Sequence, residues 1–115
     1  MRVHSEGLVS FAPRHLAAFP FEVTVTAGGV RLVLSSRLVN RQVEAARHET
    51  DPRRAASLAG AVEPVQWDAV DGRLFLSCQT RDSKMVAACG AQHVVDASSP
   101  VQSSSRAAPD EVAVE

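Results

Sequence analysis

The chain of 115 residues contains no tyrosine and no isoleucine, one lysine (Lys84), one asparagine (Asn40), one tryptophan and two cysteines. The four depleted or absent types Tyr, Ile, Lys and Asn share AT-rich codons, whereas the abundant alanine, valine and arginine have GC-rich ones. The excess of arginine over lysine therefore reflects the base composition of the gene and not selection for phosphate binding. Cys78 and Cys89 are too few for a disulfide framework. Charge of one sign is also lacking: 12 basic residues stand against 13 acidic ones, a net charge of -1. A general nucleic-acid binder carries a clear basic excess, so that class is excluded. No apolar run approaches the roughly 18 to 20 residues of a membrane-spanning helix. The run Leu8–Ala12 is too short for a signal-peptide core and ends at Pro13-Arg14. These absences predict a cytoplasmic, reduced protein with neither a nucleic-acid nor a membrane partner.

What remains is enough for a core. Hydrophobic residues make up 45% of the chain and charged ones 22%, in a length that fits one ordinary domain. Residues 1–20 are ambiguous, with 12–19 readable as a short helix that has Pro13 in its first turn and Pro20 as its stop. Phe21–Thr26 alternates with period two, as do Val30–Ser35, and Gly28-Gly29 between them predicts a two-residue hairpin turn. From Arg37 onward Leu38, Val39, Val43 and Ala46 recur at helical spacing, which predicts a helix of about three to four turns. Asp51-Pro52 then reads as an N-cap and first helical residue of a second, shorter helix through Leu58 that stops at Gly60.

The second strand region is a three-stranded meander. Val65–Val70 and Arg73–Gln79 flank Asp71-Gly72, a favoured hairpin turn, which pairs Ala69 with Leu74, Trp67 with Leu76 and Val65 with Cys78. A turn at Thr80–Ser83 leads into Lys84–Cys89, pairing Cys78 with Met85, Leu76 with Ala87 and Leu74 with Cys89. Both turns place Val65, Trp67, Ala69, Leu74, Leu76, Cys78, Met85, Ala87 and Cys89 on one face. Residues 97–115 are rich in serine, end acidic and show no periodicity, so they read as a disordered tail. The expected fold class is thus α+β: one domain over 1–96, with a single antiparallel sheet (hairpin, helical connection, meander) and helices packed on one face. In element order this resembles PAS-type sensor domains and profilin-like or roadblock-type dimerisation domains.

Chemical motifs are sparse. The proposed register puts Cys78 and Cys89 on the core face about 13 Å apart, beyond the reach of a disulfide. His4, His15, His48 and His93 have no metal-ligand spacing, and neither cysteine lies in a CxxC. There is no GxSxG elbow, and Gly28-Gly29 lacks the lysine of a phosphate loop. No catalytic residue, cofactor or metal is expected. Arg37 and Arg41, one helical turn apart, are candidate contacts for an anionic ligand or acidic partner. They also have the RxxxR spacing of a cyclic-dinucleotide motif, although Ala55 stands where the accompanying acid belongs. Val33, Phe75 and Val86 lie among polar residues on the outer sheet face and form a candidate partner surface. The reading that follows is a small non-catalytic interaction or regulatory domain, acting on itself as a homodimer or on another protein. A ligand-sensing module with a pocket between helices and sheet, and an open reading frame without selected function, are the alternatives.

Overall fold

The structure, a computed structural model, describes residues 1–41, 50–53 and 60–115. The described residues form ten strands: β1 (Arg2–Ser5), β2 (Leu8–Val9), β3 (Ala17–Ala18), β4 (Phe21–Thr24), β5 (Ser36–Val39), β6 (Val62–Val70), β7 (Arg73–Thr80), β8 (Val86–Gln92), β9 (Ser105–Ala108) and β10 (Glu111–Val114). Strands hold 48% of the described residues and helical conformation only 2%, so the expected α+β class with helices on a sheet is corrected to an all-β arrangement of several sheets. The resemblance in element order to PAS, profilin and roadblock domains falls with it. The chain divides into two compact units, Met1–Leu32 and Val33–Glu115.

The first unit is a two-stranded antiparallel ribbon. β1 pairs with β4 through Val3↔Val23 and Ser5↔Phe21, and β2 pairs with β3 through Leu8↔Ala18 and Val9↔Ala17. Both ladders share one register. Pro20 has no N–H to donate, so the ladder breaks there, and the Glu6 N–H donates to the Pro20 carbonyl at 3.1 Å across the break. The expected hairpin over Gly28-Gly29 does not form. Gly28 does take a positive φ of 74°, but Phe21–Thr24 finds its partner upstream in Arg2–Ser5 and Val30–Ser35 belongs to no strand. The short helix expected over 12–19 is likewise absent: the ribbon turns back there, with Leu16 N–H donating to Pro13 and Ser10 N–H to Leu16.

In the second unit two three-stranded sheets, ordered β6-β7-β8 and β5-β10-β9, stack face to face. Leu74, Leu76 and Val112 are the buried core, with Leu38, Ala69, Cys78, Ala91 and Val114 packed against it. Each fully buried side chain of this kind contributes about 1.5–3 kcal/mol. The meander forms as read, with Ala69↔Leu74 and Trp67↔Leu76. Asp71 (φ 50°) and Gly72 (φ 71°) supply the left-handed pair that a primed hairpin turn requires. Val65 does not oppose Cys78, because it is the extra residue of a bulge between Pro64 and Gln66. β8 is displaced by two residues from the expected register, giving Cys78↔Ala87, Leu76↔Cys89 and Leu74↔Ala91. The cause is a longer turn. Thr80 N–H donates to the Met85 carbonyl, Met85 N–H donates to Thr80 Oγ1, and Lys84 takes φ 54°. A shift of two keeps every side chain on its own face.

The largest corrections lie on either side of the meander. Ser36–Val39, expected to open a helix, is a strand with alternating exposure. Its Leu38 enters the core because β10 offers it a ladder through Val112↔Leu38. The remainder of that expected helix, including Val43 and Ala46, lies outside the described residues. Of the second expected helix, Pro52 and Arg53 are helical and Asp51 Oδ1 accepts the Arg53 N–H at 2.9 Å as an N-cap would; residues 54–59 lie outside the described set. The segment 97–115 is not a disordered tail. It carries β9 and β10, and Val112 within β10 has no exposed surface at all.

Candidate functional site

The most structured polar surface is the outer face of the β5-β10-β9 sheet. β10 is its central strand, and Ala113 lies opposite Arg37 on one side and Arg106 on the other. A methyl group between two long side chains leaves both guanidinium groups free to lean along the strand towards Glu111. Arg106 Nη2 donates to Glu111 Oε1, and Arg37 Nη1 lies 3.8 Å from Glu111 Oε2. A shallow groove of about 320 Å³ runs along this face, lined by Ser35, Arg37, Ser104, Arg106, Glu111 and Glu115 among others. Its charges balance, two arginines against two glutamates.

Arg37 was the expected anion contact, and its charge is taken up within the chain by Glu111. Arg41, expected beside it on a helix, is an exposed residue just beyond the end of β5. Phe75 and Val86 share the outer face of the other sheet but not a position on it. Phe75 lies opposite Asp68, as expected, and Gly90, while Val86 lies opposite Gln79, about 13 Å along the strand. Val33 belongs to no strand and does not join them.

Both ring nitrogens of His93 have partners. Its Nδ1 lies 2.7 Å from the Gly72 carbonyl and its Nε2 2.7 Å from Ser36 Oγ. A carbonyl only accepts, so Nδ1 donates to Gly72, while Nε2 is hydrogen-bonded to the serine hydroxyl. Cys78 and Cys89 are free thiols on diagonal positions of β7 and β8, about 7–8 Å apart. That is closer than the 13 Å expected, because of the shifted register, yet still beyond a disulfide's usual span. Burial pushes the Cys78 thiol above its ordinary value, and Cys89 and Asp110 add to the rise. Among the described residues no group of three or more His, Cys, Asp or Glu side chains is placed to hold a metal ion, and no helix is long and apolar enough to cross a membrane.

Sequence reasoning missed Arg106, Glu111, Glu115 and the His93–Ser36 pair. The alternation Glu111-Val112-Ala113-Val114-Glu115 after Pro109-Asp110 was a strand signal, masked by the serine-rich stretch before it. Nothing in the sequence links His93 to Ser36.

Comparison with known proteins sets these features in context. The model of the glycosyl hydrolase family 65 N-terminal domain matches residues 1–115, and the chain belongs to that family. It is 32% identical over 110 residues to an uncharacterised glycosyl hydrolase of Mycobacterium leprae, covering 96% of this chain and 14% of that protein. An uncharacterised glycosyl hydrolase of Mycobacterium tuberculosis H37Rv is 30% identical over the same shares of each. The chain thus spans about a seventh of the length of these relatives, 14%. No solved structure matches it significantly. Membership of a glycosyl hydrolase family replaces the expected self-standing interaction or regulatory domain, its ligand-sensing alternative and the frame without selected function, and it ties the chain to an enzyme family where no enzyme was expected.

Glycoside hydrolysis uses two carboxyl groups about 5–5.5 Å apart when it retains configuration, or about 6.5–9.5 Å apart when it inverts. Glu111 and Glu115 share a face of the β10 strand line four residues apart, so their backbones are about 13 Å apart. Glu111 is already engaged by two guanidinium groups. Elsewhere Glu63 pairs with Arg81 and Glu6 with His4, and Asp68 Oδ1 accepts the Ala69 N–H. These carboxylates serve the local architecture.

Proposed function

We propose that this chain serves a glycoside hydrolase as its amino-terminal β domain, and that the carboxyl pair cleaving the glycosidic bond belongs to the much longer region its relatives carry besides the matched segment. The observation that carries this reading is the family match over the whole chain, joined to a fold in which Glu111, Glu63, Glu6 and Asp68 are engaged by neighbouring groups of the domain itself. The sandwich in 33–115 supplies a rigid body with its own core, and such bodies position neighbouring loops better than loops position themselves. The two free thiols support a reducing, cytoplasmic setting.

The test uses the M. leprae relative and a panel of aryl glycosides and disaccharides. Hydrolysis by the intact relative is expected to be lost when its matched segment is deleted, and restored when this chain replaces that segment. Full activity of the deleted form overturns the proposal. So does glycoside cleavage by this chain alone.

A further inference from the structure

No residue of the 1–32 unit is buried, and only Ser10 and Val23 reach half-burial. This is physically incomplete, because an isolated two-stranded ribbon is marginal in water. Its middle stretch, residues 7–19, is also the most apolar part. Leu8 and Val9 are 59% and 73% exposed, Leu16 59%, Phe19 77% and Phe11 98%. Val9 and Phe19 share one face of the ribbon and Leu8 lies on the other, and exposed apolar and aromatic surface of this kind marks an interaction site in a stable protein. The ribbon is shaped for it. Ala17 and Ala18 oppose Val9 and Leu8, so the second strand is low between Leu16 and Phe19. Gly7 has no side chain, and an added Cβ there would lie 3.5 Å from the Phe19 ring, which rests over that backbone.

Charge narrows the partner. Residues 7–19 contain no carboxylate, and their one fixed charge is Arg14 at the turn, beside His15. A complementary surface is apolar with an acidic group near the ribbon tip. We propose that the 7–19 hairpin is the docking face through which this domain seats on the remainder of the glycosyl hydrolase, the region that makes up most of its relatives' length. The inference rests on the functional reading above and adds the surface that performs it. Phe11 and Phe19 are the anchors, since large aromatic side chains dominate such interfaces.

The experiment titrates the whole chain with a fragment of the M. leprae relative that lacks its matched segment, using calorimetry and hydrogen exchange. The expected result is a complex in which amide exchange over 6–20 slows by about tenfold or more. Phe11→Asp combined with Phe19→Asp is expected to weaken binding by about tenfold or more. Val94→Asp, at an equally bare apolar position of the second unit (89% exposed), is expected to leave binding unchanged. Both phenylalanines are exposed, so the double variant keeps the fold, which circular dichroism checks. The absence of a complex overturns the proposal, as does a complex that ignores the double variant. A concentration-dependent dimer of the chain alone, abolished by that variant, overturns it in favour of a second copy as the occupant. Slowed exchange with a neutral disaccharide alone overturns it in favour of a sugar-stacking platform. The hydrolysis assays above fail or succeed independently of these outcomes.

Discussion

His93 and Ser36 are 57 residues apart in sequence and joined by a 2.7 Å hydrogen bond between the imidazole Nε2 and the serine Oγ. Because the same ring donates from Nδ1 to the Gly72 carbonyl, it ties the first strand of one sheet to the hairpin turn of the other. His93→Ala is expected to cost about 1–2 kcal/mol, since it leaves the Ser36 hydroxyl without its ring partner while the Gly72 carbonyl keeps the His93 backbone N–H. His93→Asn keeps a donor near the Nδ1 position and is expected to recover part of that loss. Urea unfolding of the His93→Ala, Ser36→Ala and double variants checks this. A coupling below about 0.5 kcal/mol would show that the bond does not link the two sites.

The last strand is expected to be indispensable. A chain ended at Pro100 lacks β9 and β10 and uncovers Leu38, Leu74 and Leu76. It is expected to lose cooperative unfolding, where removal of a true tail would change nothing. Within the intact chain, Leu76→Ala is expected to cost about 2–5 kcal/mol. Differential scanning calorimetry of both forms reads the outcome.

Alkaline pH is expected to weaken the fold through Cys78. Its folded pKa is raised above the ordinary 9.0 by burial first, then by Cys89 and Asp110, so the folded state holds the thiol proton more tightly than the unfolded one. That contribution is complete below the unfolded pKa and is lost as pH rises through the folded one. Unfolding midpoints are expected to fall as pH rises from the ordinary 9.0 through the raised folded value, and Cys78→Ala is expected to flatten the fall. Alkylation followed by mass spectrometry is expected to label the exposed Cys89 before Cys78.

Glu111→Gln removes the shared partner of Arg37 and Arg106. Both arginines are largely exposed, so the expected cost is about 1 kcal/mol or less. The difference from the parent chain is expected to shrink as salt rises to about 1 M, measured by the urea midpoint. A cost that persists at high salt would assign Glu111 a packing role instead.

The meander was legible in the sequence because its information is local. Asp71-Gly72 sets the turn, and the alternation of Trp67, Ala69, Leu74 and Leu76 sets the face. The β8 register was not legible, since a left-handed Lys84 lengthens the turn without the usual glycine or asparagine to announce it. Ser36–Val39 misled for a different reason. Four residues sample barely one helical turn, and only pairing with residues 111–114 makes them a strand. The Gly28-Gly29 signal was outcompeted by a partner upstream that had been set aside as ambiguous. Of the polar groove, Arg37 was visible in sequence. Arg106, Glu111 and Glu115 were hidden in a segment whose composition resembles a linker.

The central place of β10 also sets the timing of synthesis. Leu76 leaves the ribosome 36 residues before Val112, the side chain that covers it, and Leu74 two residues earlier still. At about 5–20 residues per second, the nascent meander waits roughly 2 to 7 s with its apolar face bare. During that interval it is a substrate for chaperones and for misassembly with neighbouring nascent chains. Synonymous codons between 77 and 112 therefore have leverage over the yield of folded protein that no amino-acid change records.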